Sequence, residues 1–260
     1  MKQALYFLML VVAMSCTFLN SSNLFAASTD DRIESSAKNT YVFKTYLKND
    51  NIKVSSKAGD VTLTGTVNEE GHKSLAKDTV AGLPGVKSVD DKLTLKGKSS
   101  ATGSDAWLIT KVKFTLLFHK NVNASGTTVN AKQGVVTLRG KATSTAQKDL
   151  TTEYAADVDG VKSVTNEMTV PGAAKVDKSA AAAKMDAVGD AVDDASITAM
   201  VKATLFYHRS TSALNTSAAT KDGIVTLSGK AKNAAEKDLA EKLVGDVQGV
   251  KKVVNNITVG

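Results

Sequence analysis

Few side chains in this sequence are equipped for chemistry, and their spacing decides what they can do. There are three histidines, His72, His119 and His208, and one cysteine, Cys16. A zinc centre needs three or four converging imidazole, thiolate or carboxylate ligands, and no close His/Cys/Asp set is present. No serine sits in a nucleophile elbow or beside a partner histidine motif. His72 falls at a helix start beside Glu69 and Glu70, while His119-Lys120 and His208-Arg209 occupy matching places after a first helix and read as solvated basic loop ends. Gly65, Gly140 and Gly229 lack the dense glycine spacing that gathers backbone N–H groups around one phosphate, so a backbone or packing role is expected. The expectation is no catalytic residue, no metal, no cofactor, and no enzyme.

Aromatic residues give a sharper signal. On the helix that follows Ser104, Leu108, Val112 and Leu116 fan over one side at 100° per residue. Lys111, Phe114 and Phe118 fall within about 40° of Trp107 on a different side. A helix with two apolar stripes can give only one to its own core. The leftover stripe, with Lys120 beyond its end, is read as a candidate lipid- or partner-binding surface, because aromatics suit a membrane interface and lysines attract anionic headgroups. The plainer reading is that Trp107 and the phenylalanines pack on a linker or a neighbouring domain. Positions aligned with this stripe are Ser196, Met200, Ala203 and Tyr207, which are weaker, and Lys38, Val42, Thr45 and Asn49, which are barely apolar.

The elements that carry these residues come from a repeat. Gly59-Asp60-Val61-Thr62-Leu63-Thr64-Gly65 returns as Gly134 to Gly140 and as Gly223 to Gly229. Gly85-Val86-Lys87-Ser88-Val89 returns as Gly160 to Val164 and Gly249 to Val253. Both signatures shift together, by 134 − 59 = 75 and 223 − 134 = 89 residues, so the chain holds three copies of one small domain. Each unit reads as helix, strand, strand, helix, strand. Gly59, Gly134 and Gly223 turn the hairpins. Ser144-x-x-Gln147 and Asn233-x-x-Glu236 form capping boxes at the second helices. A hairpin cannot hold itself, so the last strand must join it and both helices must cover one face. The expected fold is α+β: three tandem αββαβ domains, each a three-stranded mixed sheet with two helices on one face. They span 30–96, 104–170 and 193–260, with a linker at 97–103 and an Ala-rich linker at 171–192, in which Ala180 to Val188 could form a transient helix. Repeat one is read with about five fewer residues between first helix and first strand. Asn166 and Asn255 fall on the inward phase of their strands and read as bulge or helix-cap partners, with Asp91 in their place in repeat one.

The first residues are read as a secretory signal, 1–27, from Met1-Lys2, the apolar run Leu5 to Val12 and the small residues around Ala26-Ala27. The alternative is a membrane-anchored lipoprotein modified at Cys16. Apolar content of 42% against 23% charged is ordinary for globular domains and argues against wholesale disorder. The net charge of +7 becomes 32 − 26 = +6 once Lys2 is removed, which favours acidic surfaces; the lysines are spread rather than clustered, and nucleic acid is not expected.

The repeated helix, Gly-x-Val-Thr-Leu-x-Gly, second helix and Gly-Val-x-x-Val resembles the BON domain, a family named for bacterial osmotic-shock and nodulation proteins. The stretch from Leu205-Phe206-Tyr207-His208-Arg209 through Gly229 looks like osmotically induced periplasmic members. The resemblance implies an αββαβ fold, an envelope location, no catalysis, and a role in binding phospholipid or supporting envelope integrity; with the secretory signal, the expected location is the periplasm. The expected partner is therefore an anionic phospholipid surface engaged peripherally, chiefly through the first helix of repeat two, with envelope proteins as further candidates. A chaperone-like or scaffold protein that binds polypeptides is the alternative.

Overall fold

The computed structural model describes residues 21–97, 103–171, 192–211 and 215–260. Cys16, most of the expected signal segment and the stretch Ala180 to Val188 lie outside the described residues. Repeat one contains α1 (Ser21–Asn39), α2 (Tyr41–Thr45), β1 (Asn51–Lys57), β2 (Asp60–Val67), α3 (Glu70–Ala81) and β3 (Ser88–Leu95). Repeat two contains α4 (Asp105–Leu117), β4 (Thr127–Lys132), β5 (Val135–Gly140), α5 (Thr145–Ala156) and β6 (Ser163–Asn166). Repeat three contains α6 (Asp194–Tyr207), β7 (Thr216–Lys221), β8 (Ile224–Ala231), α7 (Ala234–Gly245) and β9 (Lys252–Val259).

Each repeat forms one three-stranded mixed sheet with the second strand central. That strand pairs antiparallel with the first and parallel with the third. Alternation along β2 explains why helices cover one face only. Val61, Leu63 and Val67 are buried, whereas Thr62, Thr64 and Thr66 keep part of their surface in water.

The hairpin turns use two left-handed residues each: Ala58 and Gly59, Gln133 and Gly134, Asp222 and Gly223, all with positive φ. This is the requirement of a two-residue turn whose twist matches the flanking strands. An aspartate on the first helix holds each turn, a contact the sequence reading did not anticipate. Asp30 accepts from the Ala58 and Gly59 amides at 2.7 and 3.0 Å. Asp105 accepts from Gln133 and Gly134 at 2.9 and 3.2 Å, and Asp194 from Asp222 and Gly223 at 2.7 and 2.8 Å. The Ser56 hydroxyl and the Gly59 amide hold the Asp30 carboxyl below the usual carboxylate range. Removing such a charge-assisted pair from repeat two, Asp105→Ala, is expected to cost about 1.5–3 kcal/mol. A lower urea midpoint at unchanged slope checks it.

Those aspartates also correct the alignment of repeat one. Each lies 29 residues before its turn glycine (59 − 30, 134 − 105, 223 − 194), so no loop is shortened. The first helix of repeat one instead breaks at Thr40, whose hydroxyl accepts from the Phe43 amide at 3.4 Å and starts the short α2. Residues aligned with Trp107, Lys111, Phe114 and Phe118 are therefore Arg32, Ser36, Asn39 and Phe43, by subtraction of 75.

The capping boxes form. The Gln147 amide donates to Ser144 at 3.1 Å and the Glu236 amide to Asn233 at 2.8 Å. The return bonds involve the residue before the cap: the Thr143 and Lys232 amides donate to the Gln147 and Glu236 side chains at 2.9 and 2.7 Å. Asn166 and Asn255 tie strand to helix: their amides donate to the Lys148 and Lys237 carbonyls at 2.9 and 3.0 Å. Their carbonyl oxygens accept from the Met168 and Ile257 amides two residues on. Asp91 keeps only the second of these bonds, from Leu93.

Candidate functional site: the junction of the three repeats

Helix α4 is the meeting point of the repeats. Ser104 caps it, accepting from the Trp107 amide at 3.2 Å. Leu108, Val112 and Leu116 enter the core of repeat two. Phe114 and Phe118 leave it and join the core shared by repeats one and three. They are 2% and 0% exposed, so the expected open stripe is a covered one. The cause is that α3 of repeat one and α6 of repeat three close over it. Gly71 on α3 allows this: a Cβ there would stand 3.1 Å from the Phe114 ring.

The stripe belongs to a row of aromatic rings that crosses all three repeats. Tyr41, Tyr46, Phe118, Phe114, Tyr207 and Phe206 follow one another edge to face, with centroids 5.7, 5.3, 4.8, 5.2 and 5.2 Å apart. Edge-to-face contacts add to the apolar area buried. Burial, then the nearby Glu70 and Glu69, push the Tyr207 phenol up to about 12.

The lysines expected to meet headgroups are also engaged. Lys111 is 7% exposed; its Nζ donates to the Asp159 carbonyl and carboxylate at 2.9 and 3.2 Å and lies 4.2 Å above the Trp107 ring. Lys120 crosses to repeat three and donates to the Gly245 carbonyl at 2.7 Å, at the end of α7. Of the three aromatics on α4, only Trp107 keeps part of its surface.

Trp107 lines a cleft of about 700 Å³ built by all three repeats, with Glu70 and Gly71 from the first, Lys111 from the second, and Phe206 and Arg209 from the third. A smaller cavity of about 300 Å³ shares Phe206 with it. Phe206 is 66% exposed, and helix phase places it between the buried Leu205 and the inward Tyr207. Its place in the run Leu205 to Arg209 gives no sign of that exposure.

Repeats two and three meet about a local two-fold axis. His119 bridges to Val247 and His208 to Val158, and each pair is the other shifted by 89 residues. The amides of Lys120 and Arg209 donate to the Asp246 and Asp157 carbonyls, both at 2.9 Å. Near the axis the two imidazoles face each other, Nε2 to Nε2 at 3.3 Å. They are 3% and 1% exposed, so the solvated loop ends expected for them are buried. The reason is that each follows a helix that ends inside the interface. His208 Nδ1 lies 2.8 Å from the Asp157 carboxylate, and His119 Nδ1 lies 3.4 Å from that of Asp246. His119 stacks on Tyr154, whose hydroxyl donates to Asp246 at 2.6 Å. Burial holds the His119 imidazole below the ordinary histidine value, partly offset by Asp246. Burial alone would raise Asp157, but hydrogen bonds from His208 and Ser210 outweigh it and hold that carboxyl low. Among the described residues no three His, Cys, Asp or Glu converge on a metal position. No described helix is long and apolar enough to cross a membrane.

Three αββαβ units whose helices pack on one another, with a ring row through the junction, define a tandem array of small α+β domains. The chain belongs to the BON-domain family, whose model matches residues 29–97, 104–172 and 193–260. It is similar to osmotically-inducible protein Y of Escherichia coli, 32% identical over 153 residues, which are 59% of this chain and 71% of that protein. It is also similar to the outer membrane lipoprotein DolP of Haemophilus influenzae, 32% identical over 108 residues, 41% of this chain and 55% of that protein. Among solved structures, the C-terminal domain of CdsD, a structural protein of the type III secretion system of Chlamydia trachomatis, is 16% identical. That match covers 88% of this chain and 95% of that one, with a TM-score of 0.23.

Proposed function

We propose that this chain is a non-enzymatic protein of the bacterial envelope that docks on anionic phospholipid and supports the envelope under osmotic stress. The names of the two relatives, one osmotically inducible and one an outer membrane lipoprotein, support the envelope and stress setting. The observation that carries the docking reading is Phe206: a large apolar ring, two-thirds exposed, at the mouth of a cleft that also holds Trp107 and Arg209. With the half-buried Trp107 on the same cleft, Phe206 forms an aromatic edge, and aromatic side chains suit the headgroup–acyl boundary. The chain's net charge of +7 supplies attraction toward an anionic leaflet. The docking edge is thus the end of α6 with Trp107, and α4 contributes as its buried support.

Co-flotation with vesicles tests this. The full chain is expected to float with phosphatidylglycerol-containing vesicles and not with neutral ones, and Phe206→Ala is expected to lower the bound fraction several-fold. Added salt should release the protein, as for any charge-assisted docking. Flotation with neither vesicle contradicts the reading. Suppression of polypeptide aggregation with no preference among lipids would transfer the cleft to the chaperone-like alternative.

A further inference from the structure

We infer that the His119–His208 pair is a proton-operated latch: it holds repeats two and three together near neutral pH and releases them as the pH falls. The Nε2 atoms are 3.3 Å apart, which leaves room for one hydrogen between them. His208 Nδ1, at 2.8 Å from the Asp157 carboxylate, must carry its hydrogen, because a carboxylate only accepts. The closed pair therefore holds at most one positive charge. Two imidazoliums in water hold two, so opening the interface in acid takes up at least one proton.

The surroundings set how tightly the closed pair resists that uptake. From α5, Tyr154 stacks on His119, and Asp157 faces His208 with Arg209 3.7 Å from it. At the end of α7, Asp246 faces His119 but is already bonded to the Tyr154 hydroxyl and the Asn121 amide. Lys120, the residue after His119, directs its charge to the Gly245 carbonyl. His119 Nδ1 is consequently a buried nitrogen without a hydrogen-bond partner. The sign follows from linkage. A histidine held low by burial contributes stability above about pH 6.5 and loses it as pH falls below that value. This reading does not depend on what the cleft binds.

Hydrogen exchange of the full chain tests the latch, because three amides cross the interface: Lys120 to Asp246, Arg209 to Asp157, and Gln248 to Phe118. Their protection, corrected for the intrinsic rate, is expected to fall about tenfold per pH unit between pH 6.5 and 5 for each extra proton taken up. The amides of β5 and β8 should keep theirs, and His208→Gln should flatten the pH dependence. Interface protection that is constant over this range overturns the latch. So does loss of strand and interface protection together, which would be acid unfolding of the repeats themselves. An unchanged pH dependence in His208→Gln overturns it as well.

Discussion

Phe118→Ala is expected to cost about 3–5 kcal/mol and to loosen all three repeats at once. The ring is fully buried and sits in the row between Tyr46 of repeat one and Phe114, which in turn touches Tyr207 of repeat three. Truncation leaves a cavity that no single repeat can close by local adjustment, because its walls belong to different domains. The Phe118 carbonyl also accepts from the Gln248 amide at 2.9 Å, so movement of the end of α4 strains the contact with repeat three. Chemical denaturation should show a lower midpoint together with a broadened transition. A change confined to repeat two, read as normal exchange protection in α3 and α6, would place the ring in a private core instead.

Gly140→Ala is expected to be worse, at about 4 kcal/mol or more. Gly140 has φ of 140° in the central strand, and a Cβ would lie 2.0 Å from the Gly126 carbonyl oxygen across the hairpin. That neighbour is backbone and cannot rotate away. The same clash occurs at Gly65 with Asn51 and at Gly229 with Asn215, at 1.9 and 1.8 Å. The variant should lose the β4–β5 pairing, visible as loss of exchange protection in repeat two. Native-like stability in Gly140→Ala would mean that the strand can shift register there at little cost.

These two residues show what the sequence disclosed and what it did not. The repeat spacing, the glycine turns, the capping boxes and the mixed sheet were all readable, because each depends on contacts within one unit of local chain. The family resemblance rested on the same motifs and is met by the family match over all three repeats. The second apolar stripe of α4 was also found, yet its destination was not. Helix phase says that Phe114 and Phe118 point away from Leu108 and Val112, but not that α3 and α6 arrive to cover them. Gly71, which permits the close approach, carries no distinctive local signal. The histidine pair was hidden for a different reason. His119 and His208 lie one repeat interval apart, and so do their carboxylates Asp157 and Asp246. That shared offset of 89 was the available clue to a local two-fold axis. Repeat one departs from the other two because its first helix breaks at Thr40.

The aromatic stripe joins the repeats into one cooperative unit and leaves Phe206 as its exposed end. Differential scanning calorimetry of the full chain addresses this directly. A single transition is predicted, with calorimetric and van't Hoff enthalpies in agreement, splitting into separate transitions in Phe118→Ala while Phe206→Ala melts like the wild type. Independent transitions for the repeats in the wild-type protein would contradict the account.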